Sequence, residues 1–261
     1  MDLGLNGKVA LVMGASSGLG VATARALAAE GAKVALAARR VDVLARLSKE
    51  IEAAGGSALV VEWDLAEPDR TEPALDEIEA QLGPIDILVA NTGGPPPRGA
   101  EGIPHDLWLE QFRVMVLSIV GIANRLVPGM RRRGWGRIVT FASSGVIVPI
   151  PNLALSNALR LSLVGWSKTL AAEVAADGVT VNVLAPGRIN TDRVRSLDNS
   201  RAIREGKDVS AVVEASHAAI PARRYGTPEE FAAVATFLAG VPASYVTGSI
   251  VRVDGGLIPV I

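Results

Sequence analysis

The chain has 261 residues, with 26 Lys+Arg set against 27 Asp+Glu and a formal net charge of −1. That balance carries no electrostatic signature for nucleic acid or a membrane surface, and aromatics at 4 % leave no base-stacking platform. Cysteine is absent, which excludes disulfides, thiolate catalysis and Cys-based metal sites. His105 and His217 are the only histidines and neither stands in an acidic cluster, so no metal centre is expected. Hydrophobic residues make up 49 %, enough for a substantial core, and the length suits one α/β domain. The start, MDLGLNGKVALVM, lacks a basic segment followed by a cleavage site, and no apolar run of ~18 residues stands out. A soluble cytoplasmic protein is the expectation.

In chain order, KVALVM (8–13) reads as a buried strand, followed by a helix over 17–30 that Gly31 stops. KVALAA (33–38) is the second strand. Residues 41–54 place Leu44, Leu47 and Ile51 on one helical face, with Gly55 and Gly56 as the stop. ALVVE (58–62) is a third strand, 68–82 a helix and IDILVA (85–90) a fourth strand. The Pro/Gly loop GGPPPRGAEGIP (93–104) precedes a long helix over 106–127, and RIVTFA (137–142) is the fifth strand. Arg131, Arg132, Arg133 and Arg137 follow that helix, where cations suit its C-terminus better than they mark a phosphate patch. A helix over 153–177 carries Leu159, Leu163, Trp166 and Leu170 at helical spacing. VTVNVL (179–184), a polar lid-like segment (190–222), a helix near 227–239 and the strand IVRV (250–253) complete the chain.

Apolar strands alternating with helices predict a parallel sheet covered on both faces, and right-handed crossovers make it doubly wound. No linker or repeat divides it, so 1–261 is read as a single α/β domain with seven strands. Ligands of such a sheet sit beyond the C-terminal strand ends, where strand order reverses.

GASSGLG (14–20) lies between the first strand and the first helix. Glycines at 14, 18 and 20 allow a tight turn and close approach of a pyrophosphate, while the helix start offers free N–H groups and a positive dipole end. With this loop go Asp64 after the third strand, Asn91-Thr92-Gly93 after the fourth, GRIVTFASS (136–144), VTVNVLAPGRINT (179–191), RRYGTPEEFA (223–232) and YVTGSIVRVDGG (245–256). Together these resemble the short-chain dehydrogenase/reductase family, in the branch of β-ketoacyl carrier-protein reductases.

The resemblance implies a Rossmann fold and a nicotinamide dinucleotide. Gly14, Ser16, Ser17, Gly18, Leu19 and Gly20 would hold its phosphates, Asp64 and Leu65 flank the adenine, and Asn91 and Gly93 follow its middle. Pro186, Gly187, Ile189 and Thr191 would frame the nicotinamide end. After the second strand stand Ala38, Arg39 and Arg40 rather than a carboxylate, which suits a 2′-phosphate: NADP(H) is favoured and NAD(H) is the alternative. A small carbonyl or alcohol substrate is implied, an acyl thioester among the candidates, with a homotetramer expected and a homodimer as the alternative.

The family's catalytic serine matches Ser143. Its tyrosine falls on Ser156 and its lysine on Arg160, while its helix asparagine falls on Met115. Met13 and Ala90 are two smaller departures. Ser156 has an aliphatic hydroxyl with no neighbouring base in sequence, and Arg160 will not deprotonate near neutrality. Ser143, Ser156 and Arg160 are thus the candidate catalytic positions, better suited to anchoring a cofactor than to moving a proton. His105, His217 and Tyr225 are the remaining sources of a substitute acid. The expectation is an altered reductase, with a catalytically silent dinucleotide-binding or regulatory subunit as the alternative.

Overall fold

The computed structural model describes residues 1–261. Seven strands form one sheet in the order β3-β2-β1-β4-β5-β6-β7: β1 is Val9–Met13, β2 Lys33–Ala38, β3 Ser57–Glu62, β4 Ile87–Ala90, β5 Gly136–Phe141, β6 Val179–Pro186 and β7 Ile250–Val253. Every pairing is parallel, so each connection must cross over one face of the sheet. Strand order reverses between β1 and β4, which places the ligand crevice at their C-terminal ends.

Two apolar layers result. On one face α1 (Gly18–Ala29), α2 (Val41–Ala53) and α9 (Pro228–Ala239) supply Ala24, Leu27, Leu44, Leu47, Ile51, Phe231 and Leu238. The rings of Phe141 and Phe231 meet edge-to-face at 4.7 Å, fastening α9 to β5. On the other face α3 (Thr71–Leu82), α5 (Ser118–Arg133) and α6 (Ala154–Val174) supply Leu75, Ile78, Ile119, Ile122, Leu126, Met130, Leu159 and Leu163.

The long helix predicted over 106–127 is α4 (His105–Phe112), a π turn over Arg113–Leu117 and then α5, and it runs on to Arg133. Pro128 does not break it, and Gly134 ends it in the left-handed conformation at φ 64°. By length and composition alone His105–Arg133 is long and apolar enough to cross a membrane, with a window hydropathy of 1.3, although no unbroken apolar run within it reaches ~18 residues. Part of that apolarity faces the sheet, through Ile119, Ile122, Leu126 and Met130, while Leu109, Phe112 and Leu117 are exposed. Three of the four basic residues are engaged structurally. Arg131 pairs with Asp177 at 2.6 Å, Arg133 donates to the Ile85 carbonyl at 2.8 Å, and buried Arg137 donates to the carbonyls of Gly136, Gly178 and Gly240.

The polar segment 190–222 folds as a helical pair, α7 (Asp192–Glu205) and α8 (Val209–Ala219). The Thr191 hydroxyl caps α7 by accepting the Val194 N–H, and Gly206 closes it at φ 61°. Asp198, 1 % exposed, takes Arg188 as its ion-pair partner and accepts the Tyr225 hydroxyl at 2.8 Å, tying α7 to the ends of β6 and of the segment before α9.

At the start of α9, Thr227 accepts from the Glu230 N–H at 3.2 Å while Glu230 accepts from the Thr227 N–H at 2.8 Å. Thr227→Ala should cost about 1 kcal/mol in denaturant unfolding. Arg224 and then the Thr227 N–H hold the Glu230 carboxyl down to about 2, from 4.5. Its contribution is thus complete above pH 4.5 and is lost as pH falls toward 2, so Glu230→Gln should flatten the acid dependence of stability in that window.

Candidate active site

The crevice begins at the turn from β1 into α1. Gly14 and Gly18 hold φ of 61° and 47°, where a side chain is strained. Gly20 is pressed so close to the chain before it that an added Cβ would lie 2.2 Å from the Gly14 carbonyl oxygen. This packing sets the start of α1 directly over the end of β1. The backbone N–H groups of Ser16, Ser17, Gly18 and Leu19 make no hydrogen bond within the protein. Asn91, at the end of β4, donates to the Gly14 carbonyl at 3.5 Å, joining the two strand ends that flank the reversal. Thr191 lies against Gly18, its methyl 3.0 Å from where a Cβ would be.

Arg40 donates to the Ser16 carbonyl at 2.7 Å and its hydroxyl at 3.2 Å, which places a cation at the rim of the glycine turn. Arg39 extends into solvent, 76 % exposed, with Asp64 3.9 Å away across the end of β2. Leu65 is partly buried against the core beside it. Beyond β6, Gly187 fits tightly, since a Cβ there would meet Asp254 at 2.7 Å. Pro186 ends β6, and Ile189 is 3 % exposed, its side chain in the core, so it offers the crevice only backbone.

At the other end of the crevice, the Ser143 hydroxyl accepts the Gly145 N–H at 3.1 Å at the start of a 3₁₀ turn, Ser144–Val146. Ser156 and Arg160 lie one turn apart on α6, each 7 % exposed. The Ser156 hydroxyl makes no hydrogen bond. Arg160 donates to the Phe141 carbonyl at 2.8 Å and the Gly93 carbonyl at 3.3 Å, strapping the end of β5 to the loop after β4. Burial, and then the charge of Arg193, push its guanidinium down to about 10, so it stays protonated at neutral pH. Arg193, from the first turn of α7, donates to the Pro95 carbonyl at 2.8 Å from across the same loop. Asn157 exchanges hydrogen bonds with the backbone of Ile150 and sits where any side chain at residue 145 would collide with it, a Cβ there lying 2.4 Å from its Oδ1. It fixes the segment between Ser143 and α6. Sequence reading missed these placements of Asn157 and Arg193, because each depends on a contact with a loop that pattern alone does not locate.

The three apolar positions singled out in the sequence are packing residues. Met13, Ala90 and Met115 are each 1 % exposed in one core cluster, Met115 within the π turn. Of the substitute acids, His105 is exposed at the start of α4. Tyr225 has its hydroxyl bound to Asp198 and its ring against His217, centroids 4.6 Å apart, and burial raises its pKa. Neither ring hydrogen-bonds to Ser143 or Ser156.

Residues 14–258 match the family described as enoyl-(acyl carrier protein) reductase. Nodulation protein G of Azospirillum brasilense is 35 % identical over 96 % of this chain and 98 % of its own. The 3-oxoacyl-[acyl-carrier-protein] reductase of Salmonella typhimurium is 35 % identical over 98 % of this chain and 99 % of its own. The crystal structure of L-sorbose reductase from Gluconobacter frateurii, complexed with NADPH and L-sorbose, superposes with a TM-score of 0.94 at 33 % identity, covering 100 % of both chains. The chain belongs to the short-chain dehydrogenase/reductase family of oxidoreductases.

Gly20→Ala should destabilise the fold by about 1–3 kcal/mol in denaturant titration, since its methyl meets backbone that cannot rotate away. Gly165→Ala on α6, whose Cβ would meet nothing within 4 Å, should cost nothing.

Proposed function

We propose that the protein binds NADP(H), with NAD(H) as the weaker alternative, and interconverts a carbonyl and an alcohol on a small substrate of the ketone or 3-oxoacyl thioester class. In this reading its active site is altered at the positions where the family places tyrosine and lysine. The observation that carries the reading is the set of free N–H groups from Ser16 to Leu19, in a turn that admits only glycine at Gly20. Four unsatisfied donors at a helix start fit a pyrophosphate. Arg40 at the rim of the turn and Arg39 beside it fit a further phosphate on the adenosine ribose, where a carboxylate would repel it. Asp64 and Leu65 then border the adenine, Asn91 and Gly93 the middle of the dinucleotide, and Pro186, Gly187, Ile189 and Thr191 its nicotinamide end.

A nicotinamide held here would supply the hydride. The chain's own residues orient the acceptor. Ser143 holds the substrate oxygen with a hydroxyl whose lone pair is already steadied by Gly145. Arg160 places positive charge beside that oxygen but keeps its proton. Ser156 offers an unengaged hydroxyl without a base to activate it. The proton that completes reduction therefore comes from water, and the rate falls by ~10²–10⁴ relative to a site with a positioned acid. A catalytically silent dinucleotide-binding or regulatory subunit is the second reading, favoured by the binding of Arg160 to the Phe141 and Gly93 carbonyls. A homotetramer in the cytoplasm completes the proposal, a homodimer being the alternative. It is supported by apolar side chains left exposed on two long helices, Leu109, Phe112 and Leu117 on one and Leu161 on α6. Light scattering should find a four-chain particle.

Fluorescence titration should show NADPH binding more tightly than NADH, with Arg39→Ala and Arg40→Ala each weakening NADPH by about tenfold and NADH less. Absence of NADPH binding would overturn the proposal. Ser156→Tyr with Arg160→Lys should raise ketone reduction above the parent. Tight NADPH binding with no turnover on any ketone or 3-oxoacyl thioester, in parent or double variant, would favour the silent subunit.

A further inference from the structure

Arg160 is 7 % exposed and no carboxylate pairs with it. Arg193 reaches in from α7 to the same loop and it too lacks a salt bridge. Arg193 is exposed as a residue, while its guanidinium lies against Gly94, 3.0 Å from where a Cβ would stand, and donates to the Pro95 carbonyl. The nearest acid in sequence, Asp192, is already paired with Arg195. Two like charges thus straddle Gly93–Pro95 with nothing negative between them. An arginine carries five N–H donors. Arg160 uses two groups on carbonyls and Arg193 one, so several donors remain.

Arg137 provides the internal contrast. It is equally buried without a carboxylate, but it has three carbonyl acceptors and lies over the Trp135 ring at 4.5 Å, with no second arginine facing it. That is a finished structural cation. The pair at the crevice is unfinished: an uncompensated buried charge is costly and a facing like charge adds to the cost. The partial burial of Arg193 lowers its pKa, and its charge acts on Arg160 in the same direction. An anion placed between them removes both penalties at once. The loop they straddle brings no side-chain bulk at Gly93 and Gly94, and Arg160, which it meets at the Gly93 carbonyl, stands one helical turn from Ser156.

We propose that Arg160 and Arg193 form a carboxylate-binding subsite, and that the substrate is an oxo acid or hydroxy acid whose carboxylate they clamp while its carbonyl faces Ser143. This rests on the cofactor reading above and narrows its substrate class to anionic ketones. Arg193, the more exposed of the two, is the arm that closes on the ligand, while buried Arg160 is the fixed half. Planar guanidiniums suit a carboxylate because each presents two parallel donors to its oxygens.

The test uses two probes with the same carbonyl and opposite character, acetoacetate and methyl acetoacetate, titrated calorimetrically into protein loaded with NADP⁺ so that no turnover intervenes. Acetoacetate should bind at least about tenfold more tightly than the ester, as charge-assisted hydrogen bonds would give. Arg193→Met should shrink that gap to under about threefold, and Arg193→Lys should restore part of it. Equal affinity for acid and ester would overturn the subsite. So would an Arg193→Met protein that loses NADP⁺ affinity while keeping the gap, because the arginine would then serve the cofactor's own phosphates. If NADP⁺ does not bind at all, the cofactor reading fails separately, and the same pair of probes titrated into the free protein decides the subsite.

Discussion

The packing of Gly20 against the Gly14 carbonyl sets the geometry from which the rest of the site follows. With a Cβ excluded at residue 20, the first turn of α1 comes to rest on the end of β1, and its N–H groups point into the crevice with no partner of their own. A helix start normally finds a capping side chain, yet Ser17 makes no such bond here. Unsatisfied donors carry a penalty in an enclosed place, and it is relieved when an acceptor of the right charge arrives. The reversal of strand order between β1 and β4 keeps this place open, while Asn91 and Thr191 close it from two sides.

The opposite end of the crevice is built on a different balance. Ser156 and Arg160 set a short hydroxyl and a buried guanidinium one turn apart on α6. The guanidinium has become part of the framework, joining β5 to the loop after β4. It brings positive charge to the reacting position without a proton that can be exchanged near neutrality. In the function proposed above, this arrangement orients and polarises a substrate oxygen without supplying a proton of its own. Arg193, from the first turn of α7, brings a second positive charge to the same loop, and on this pair rests the anionic substrate class proposed above.

Much of this was legible in the sequence because parallel strands buried on both faces are written as unbroken apolar runs, and all seven strands lie where VALVM-like runs predict them. The glycine turn was equally legible, since its chemistry is local. The polar stretch 190–222 was read only as a lid because α7 has little apolar patterning; its stability comes from the Thr191 cap and the buried Arg188–Asp198 pair, the second of which spans residues that no periodicity links. The long helix ran past its predicted end because Pro128 is tolerated there and Gly134 supplies the stop. The roles of Arg160 and Arg193 were hidden for a further reason. Their acceptors are the carbonyls of Gly93 and Pro95, 67 and 98 residues away, and a backbone carbonyl leaves no mark on a sequence.

The central claim is that the amides opening α1 are held free for a dinucleotide's phosphates. Hydrogen exchange across residues 14–21, measured with and without NADPH, tests it most directly. Strong slowing at Ser16–Leu19, with little change in an exposed stretch such as α8, is the predicted result. Exchange at those amides that is indifferent to saturating NADPH would contradict the account.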